Sequence, residues 1–369
     1  MRNRRLQISI IGTRGIPGNY GGFETFAERL SCGLVAKGHR VSVYCPAAYN
    51  NHDHSDYRGV KRIVIPNIKS KSFDKISASI ISSVHATISS RQIILFLGVS
   101  AVIFAWLPRL FGSKTVINID GLEWRRKKWN KMASAYLKFS EALSGSICNR
   151  VVTDSIEIKK YFKRQYGKDS TYISYGADIR SYRDDAVLGK YGLEKEKYIL
   201  QVCRLEPENN SDLIIREYCQ VDTDVPLIIL GDAPYSGEYK SHLKRLANPR
   251  VKFLGGVYGH DYEVIRSNPL CYVHGHEVGG TNPALLEAMA AGNCVAVLNV
   301  PYNLEVIAGA GVSFDKSEGS LKKRLVEILE NPSLVSTLRN RASQRIKDNY
   351  TWEKIVNAYE DLFFRLAEE

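Results

Sequence analysis

Short apolar runs alternating with helix-period stretches constrain this chain more than any single residue does. Strands are expected at 7–11, 40–44, 62–65, 93–97, 115–119 and 151–154, and again at 198–202, 227–230, 251–254, 270–273 and 294–298. Parallel neighbours need a crossover, so strands separated by helical segments build parallel sheets from βα units. At 369 residues the chain exceeds one ordinary core. Two successive sets of strands therefore predict two Rossmann-like α/β domains rather than one long sheet. The turn-rich stretch at Tyr175, Gly176, Ala177 and Asp178 predicts the boundary, giving domains over 1–176 and 177–351. Residues 352–367 read as an amphipathic helix with Ile355, Ala358, Tyr359 and Leu362 on one face.

Charge divides the chain as sharply as the strands do. Residues 1–168 hold 28 Lys/Arg against 10 Asp/Glu, and residues 169–369 hold 23 against 29. A basic first half suits a polyanionic partner: a membrane surface, nucleic acid or a phosphorylated lipid. Seven scattered cysteines without a CxxC pair fit a reducing cytosol and argue against a disulfide framework or cysteine zinc site. The basic N-terminus followed by apolar residues 6–11 reads as a first strand, because the apolar run is short and leads into glycines. The longest apolar stretch, 93–107, is shorter than the ~20 residues that cross a bilayer as a helix. Any membrane contact is therefore expected to be peripheral.

Two segments carry the chemistry. The first strand runs into a loop with Gly12, Gly15, Pro17, Gly18, Gly21 and Gly22, followed by a helix. Glycines let backbone approach an anion, and the helix offers unpaired N–H groups. It is neither a dinucleotide fingerprint nor a Walker A loop; a tight strand-to-helix turn is the alternative. The second segment passes from His274 and His276 through Glu277, Gly279 and Gly280 to Thr281, Asn282 and Pro283. Thr281 and Asn282 are competent N-caps and proline suits the first turn, so a helix starts here and points its N–H groups at a diphosphate. Glu287 lies one turn in, placed to accept ribose hydroxyls or else solvated. Its apolar neighbours Leu285, Leu286, Ala288 and Met289 favour burial, and a buried carboxylate needs donors. His274 and His276 lack a third ligand at metal spacing and read as ordinary polar residues.

The glycine-rich loop, Pro283, Glu287 and the following Ala-Met-Ala-Ala-Gly run resemble the donor site of retaining GT-B glycosyltransferases of family 4. With 118–124 (NIDGLEW) and 204–210 (RLEPENN), the match is to the bacterial rhamnosyltransferase branch, whose members help build surface polysaccharides. The resemblance implies two Rossmann-like domains with parallel sheets facing a cleft and a C-terminal helix, 352–369, packing back toward the first domain. It implies Asp120, Arg204 and Glu287 as catalytic-site residues, with Asp120 near the transferred sugar or else in an ordinary turn. Donor contacts are implied at Gly21, Gly22, Asn209, Gly231, Val257, Gly279, Gly280, Thr281, Asn282 and Glu287. The chain departs from the family in two places. Glu277 stands ten residues before Glu287 instead of eight, where Gly279 lies, and Asn209 replaces the lysine that accompanies the arginine.

A run of five basic residues and two tryptophans, with Trp124, Arg125, Arg126, Lys127, Lys128 and Trp129, suits a bilayer headgroup region if it lies on a first-domain helix. A solvated helix face is the alternative. These readings predict a retaining glycosyltransferase using a nucleotide-sugar donor, dTDP-L-rhamnose, and a polyprenyl-diphosphate-linked saccharide acceptor, with no metal or other cofactor. It would sit in the cytoplasm, attached peripherally to the inner face of the plasma membrane. UDP- or GDP-linked donors and a nucleotide-sugar epimerase are the alternatives. A nucleic-acid-binding protein ranks last, because the chain lacks a recognisable module for it.

Overall fold

The computed structural model describes residues 4–18, 21–50, 55–68, 74–89, 92–126, 129–232 and 237–369. The chain divides into two compact units, Met1–Gly176 with Trp352–Glu369, and Ala177–Thr351.

The first unit holds seven parallel strands: β1 (Gln7–Ile11), β2 (Arg40–Pro46), β3 (Lys61–Ile65), β4 (Ile93–Leu97), β5 (Lys114–Ile119), β6 (Arg150–Thr153) and β7 (Thr171–Tyr172). They are ordered β3-β2-β1-β4-β5-β6-β7. β4, with sequence IILFL, is buried at every position because helices cover both faces of a parallel sheet. The C-terminal helix Trp352–Glu368 packs on the helix Gly22–Ala36 that follows β1. Phe26 meets Tyr175 and Tyr359 at ring-centroid distances of 5.1 and 5.5 Å. Lys37 Nζ and His39 Nε2 each lie 2.9 Å from the Glu360 carboxylate.

The second unit holds β8 (Ile199–Val202), β9 (Leu227–Leu230), β10 (Val251–Gly255), β11 (Cys271–His274), β12 (Val295–Leu298) and β13 (Val312–Phe314), ordered β10-β9-β8-β11-β12-β13. Ile199, Leu227, Ile229, Cys271, Val273 and Ala296 face one core with Ile214, Leu321 and Leu338 from its helices. Both units are Rossmann-like α/β folds. In each, the first strand stands mid-sheet, and the order reverses beside it: between β1 and β4, and between β8 and β11. Ligands of open α/β sheets bind beyond the carboxyl ends of the strands at such a switch point.

The sequence reading misses β7 and β13. Both are edge strands of two or three residues, too short to show a period. It also places the basic run on a helix. The structure instead gives a short 3₁₀ turn, Glu123–Arg125, and the helix begins only at Lys131, capped by the Asn130 side chain accepting from Ala133 N.

Candidate functional site

At the second unit's switch point, the loops after β8 and β11 are laced together. Asn209 donates its side-chain amide to the Arg204 carbonyl at 2.6 Å, and Gln201 Nε2 donates to the Asn209 carbonyl. Asn210, in the left-handed region at φ 53°, donates to the Gly275 carbonyl at 2.8 Å and to Glu277 Oε2 at 2.9 Å. The same Glu277 oxygen pairs with Lys316, and Glu277 N donates to the Glu208 carbonyl. Glu277 and Asn209 therefore brace the loops internally. The Arg204 guanidinium is exposed and has no partner among the described residues.

Beyond Glu277 the chain turns through Gly279, Gly280 and Thr281 into the helix Pro283–Ala290. Asn282 caps it, its side chain accepting from Ala284 N at 3.0 Å. That bond and Pro283 remove two first-turn donors. The backbone N–H groups of Gly279, Gly280 and Asn282 find no acceptor among the described residues. Three free N–H groups at the positive end of a helix, with Arg204 on the adjoining strand end, form a cradle suited to a diphosphate.

Glu287 lies in the same helix. Its Oε2 accepts from Tyr262 Oη at 2.9 Å and from Arg266 Nη1 at 2.6 Å. Its Oε1 accepts from no described residue, and the side chain is 27% exposed. Burial opposes the Arg266 charge, yet Glu287, Tyr262 and Glu263 hold its pKa above the ordinary guanidinium value. Burial, then Glu287, pushes the Tyr262 phenol well up, so it stays a donor. Val257 precedes the helix Gly259–Ser267, whose first turns carry Tyr262. The Tyr262 bond thus brings the Val257 loop and Glu287 to one place. Gly231 follows β9; a Cβ there would stand 1.9 Å from the Cys203 carbonyl oxygen and φ is +132°, so no other residue lets the two loops approach this closely.

His274 ends β11 fully buried, stacked on His276 at 4.3 Å, with both ring nitrogens lacking a hydrogen-bond partner among the described residues. Burial pushes its pKa down to about 3, so the ring is neutral. Among the described residues no three His, Cys, Asp or Glu gather to hold a metal ion.

In the first unit the glycine loop sits at the β1/β4 switch point. A Cβ on Gly12, at φ +105°, would stand 2.4 Å from the Leu97 carbonyl oxygen. Gly21 and Gly22, both exposed, open the helix Gly22–Ala36. Two glutamates of that helix reach back to the loop: Glu24 Oε1 accepts from Arg14 N at 2.9 Å and Glu28 Oε2 from Gly18 N at 2.8 Å. Glu24, in the first turn, supplies this helix end with a negative charge of its own. Asp120 follows β5. Burial first, then Asp120 and Asp154, raise the pKa of buried Tyr175, which places these three groups together. Trp124 is half-buried between Arg125 and Lys138, whose charged groups lie 5.1 and 4.9 Å from its ring. Arg126 and Trp129 both bond Glu123, at 2.7 and 3.1 Å. Lys127 and Lys128 lie outside the described residues.

Residues 185–348 match the family described as Glycosyl transferases group 1. That match spans most of the second unit. Residues 5–178 match a family described as a domain of unknown function, DUF1972. Over 64% of its length the chain is 28% identical to an uncharacterised glycosyltransferase of Methanocaldococcus jannaschii, covering 64% of it. It is 27% identical over 49% of its length to the N-acetylgalactosamine-N,N'-diacetylbacillosaminyl-diphospho-undecaprenol 4-alpha-N-acetylgalactosaminyltransferase of Campylobacter jejuni, covering 50% of it. The O-antigen chain mannosyltransferase of Salmonella typhimurium is 25% identical over 58% of the chain and is covered to 60%. The chain thus spans between 50% and 64% of the length of these curated relatives. Two solved structures share the GT-B fold at low identity. They are sucrose-phosphate synthase from Thermosynechococcus elongatus (TM-score 0.84, 17% identity, 98% and 99% of the two chains) and Anabaena HepE in complex with UDP (0.78, 16%, 98% and 100%).

Within the second unit, sequence reasoning missed Tyr262, Arg266 and Lys316. Nothing local marks them, since each acts on a carboxylate at least 21 residues away. Asn210 did carry a signal: a second asparagine in a loop, the residue type that most readily takes a left-handed backbone after glycine.

Proposed function

We propose that this protein is a retaining glycosyltransferase that moves L-rhamnose from dTDP-L-rhamnose to a polyprenyl-diphosphate-linked saccharide during bacterial surface-polysaccharide synthesis. The observation that carries the reading is the cradle of free N–H groups and Arg204 at the β8/β11 switch point, with Glu287 Oε1 open beside it. The nucleobase would lie at Val257, the ribose on Glu287, and the diphosphate on Gly279, Gly280 and Asn282. Negative charge that develops on the leaving diphosphate is stabilised there by fixed donors, with no metal ion. The leaving phosphate takes the acceptor proton in a front-face retaining step, so no side chain is assigned as base. Asp120 orients the transferred sugar.

Two relatives support the acceptor class: one is named for a diphospho-undecaprenol saccharide and the other for O-antigen chains. The rhamnose donor rests on the motif runs at 12–30, 118–124 and 204–210. No helix among the described residues is long and apolar enough to cross a membrane. The proposed lipid-linked acceptor is the ground for placing the protein peripherally at the inner face of the plasma membrane.

The test offers dTDP-, UDP- and GDP-linked sugars with and without a lipid-diphosphate saccharide. Acceptor-dependent transfer from dTDP-L-rhamnose with the anomeric configuration kept is the expected result. Preference for another nucleotide sugar overturns the donor assignment, and release of a free epimer without acceptor overturns the enzyme class.

A further inference from the structure

Three helices of the first unit, Asp74–Ile88, Trp106–Leu110 and Lys131–Ile147, pack beside one another through the 3₁₀ turn Val99–Phe104. Their outward sides are apolar. Val84 and Ile88 stand one turn apart on the first helix, the latter 78% exposed. Leu110 and Phe111 end the second, at 73% and 71%. Met132 and Phe139, seven residues apart and so on one face of the third, are 84% and 56% exposed. Single exposed apolar side chains are ordinary, but several on neighbouring helices mark an interaction surface.

We propose that this three-helix face is the protein's membrane-docking surface and that its partner is an anionic lipid bilayer. Charge decides between occupants. Residues 74–147, which span the three helices, hold ten Lys/Arg against four Asp/Glu. Of those four, Asp120 follows β5, Glu123 is paired with Arg126, and Glu141 is buried, accepting from Tyr161 and Tyr166. Lys131 and Lys138 are exposed immediately beside Met132 and Phe139. Exposed apolar side chains with Lys131 and Lys138 next to them in sequence, and basic residues outnumbering acidic ones, fit the boundary between acyl chains and anionic headgroups. The tryptophan that sequence alone singles out does less here, because Trp124 is packed between Arg125 and Lys138. The inference rests on the lipid-linked acceptor reading and deepens it: the face adjoins in sequence the β5 end that carries Asp120.

The experiment compares co-sedimentation with phosphatidylcholine vesicles, with and without phosphatidylglycerol. It uses the full chain and two double variants, Leu110→Ser with Phe111→Ser, and Met132→Ser with Phe139→Ser. Wild-type protein is expected to pellet preferentially with the anionic vesicles, and each double variant to partition about tenfold less or weaker still. Donor-nucleotide affinity should stay unchanged in both variants, which reports that they are folded. Wild-type binding in both variants overturns the proposal. So does a wild-type dimer, seen by light scattering, that becomes monomeric in the variants while vesicles bind neither; the face would then join two copies of the chain. Vesicle binding that follows the expectation without any sugar transfer would leave the surface standing and remove the glycosyltransferase reading alone.

Discussion

Glu287 commits one oxygen of its carboxylate to the protein and leaves the other open. Oε2 is held by Tyr262 and Arg266, which fixes the side chain's direction, and Oε1 is left open. Charge-assisted bonds from a ribose to such a pre-oriented oxygen are strong for their number. Glu287→Ala is therefore expected to weaken donor-nucleotide binding by about 1–3 kcal/mol in calorimetry. Unchanged affinity would remove it from the site. His274 presents the opposite case, a buried polar ring with nothing to bond among the described residues. Its native pKa of about 3 lies below the unfolded value near 6.5. Between those values the unfolded chain binds a proton that the native state refuses. Stability is thus unaffected above about pH 6.5 and falls by up to ~1.4 kcal/mol per pH unit below it, as far as pH 3. His274→Phe keeps the stacking with His276 and removes the titration. Thermal denaturation of this variant should depend less on pH between about 7 and 4 than that of the wild type; an identical slope would contradict the account.

Elements were legible where one physical cause dominated. β4 and β9 are plain apolar runs because parallel strands are covered on both faces, and the Asn282–Pro283 start is visible as a cap followed by the residue that needs no donor. The glycine loop announced itself for the reason the structure displays at Gly12, a backbone approach that no side chain permits. The rest depended on contacts that no period shows. Asn209, which the resemblance places at the donor, donates an amide hydrogen to the Arg204 carbonyl five residues back. Arg266 acts on Glu287 from another helix, and no spacing rule reaches across that distance. The run 123–131 was read from its composition on the supposition of a helix, and composition carries no helical period. Its side chains instead close a local turn through Glu123, and Asn130 starts the helix after the basic cluster.

At the scale of the whole molecule, the chain crosses from the first unit to the second at Gly176 and returns at Trp352. The return is structural in its consequence, because the final helix completes the first unit's core and not the second's. Ile355, Val356, Tyr359, Leu362, Phe363 and Leu366 are all buried, and Tyr359 accepts from Asn118 of β5 at 2.6 Å. Burying six such side chains at roughly 1.5–3 kcal/mol each rivals the whole ~5–15 kcal/mol stability of a domain. Within the second unit, the Ala177 N–H donates to the Tyr350 carbonyl at 2.7 Å, closing that unit's own ends upon each other. Ending the chain after Thr351 should therefore unfold the first unit and spare the second. Two-step thermal denaturation is expected to lose one transition, while donor-nucleotide binding by calorimetry persists. Loss of both transitions together would show that the second unit depends on the first for its stability, and loss of neither would mean that the final helix contributes little to the core it fills.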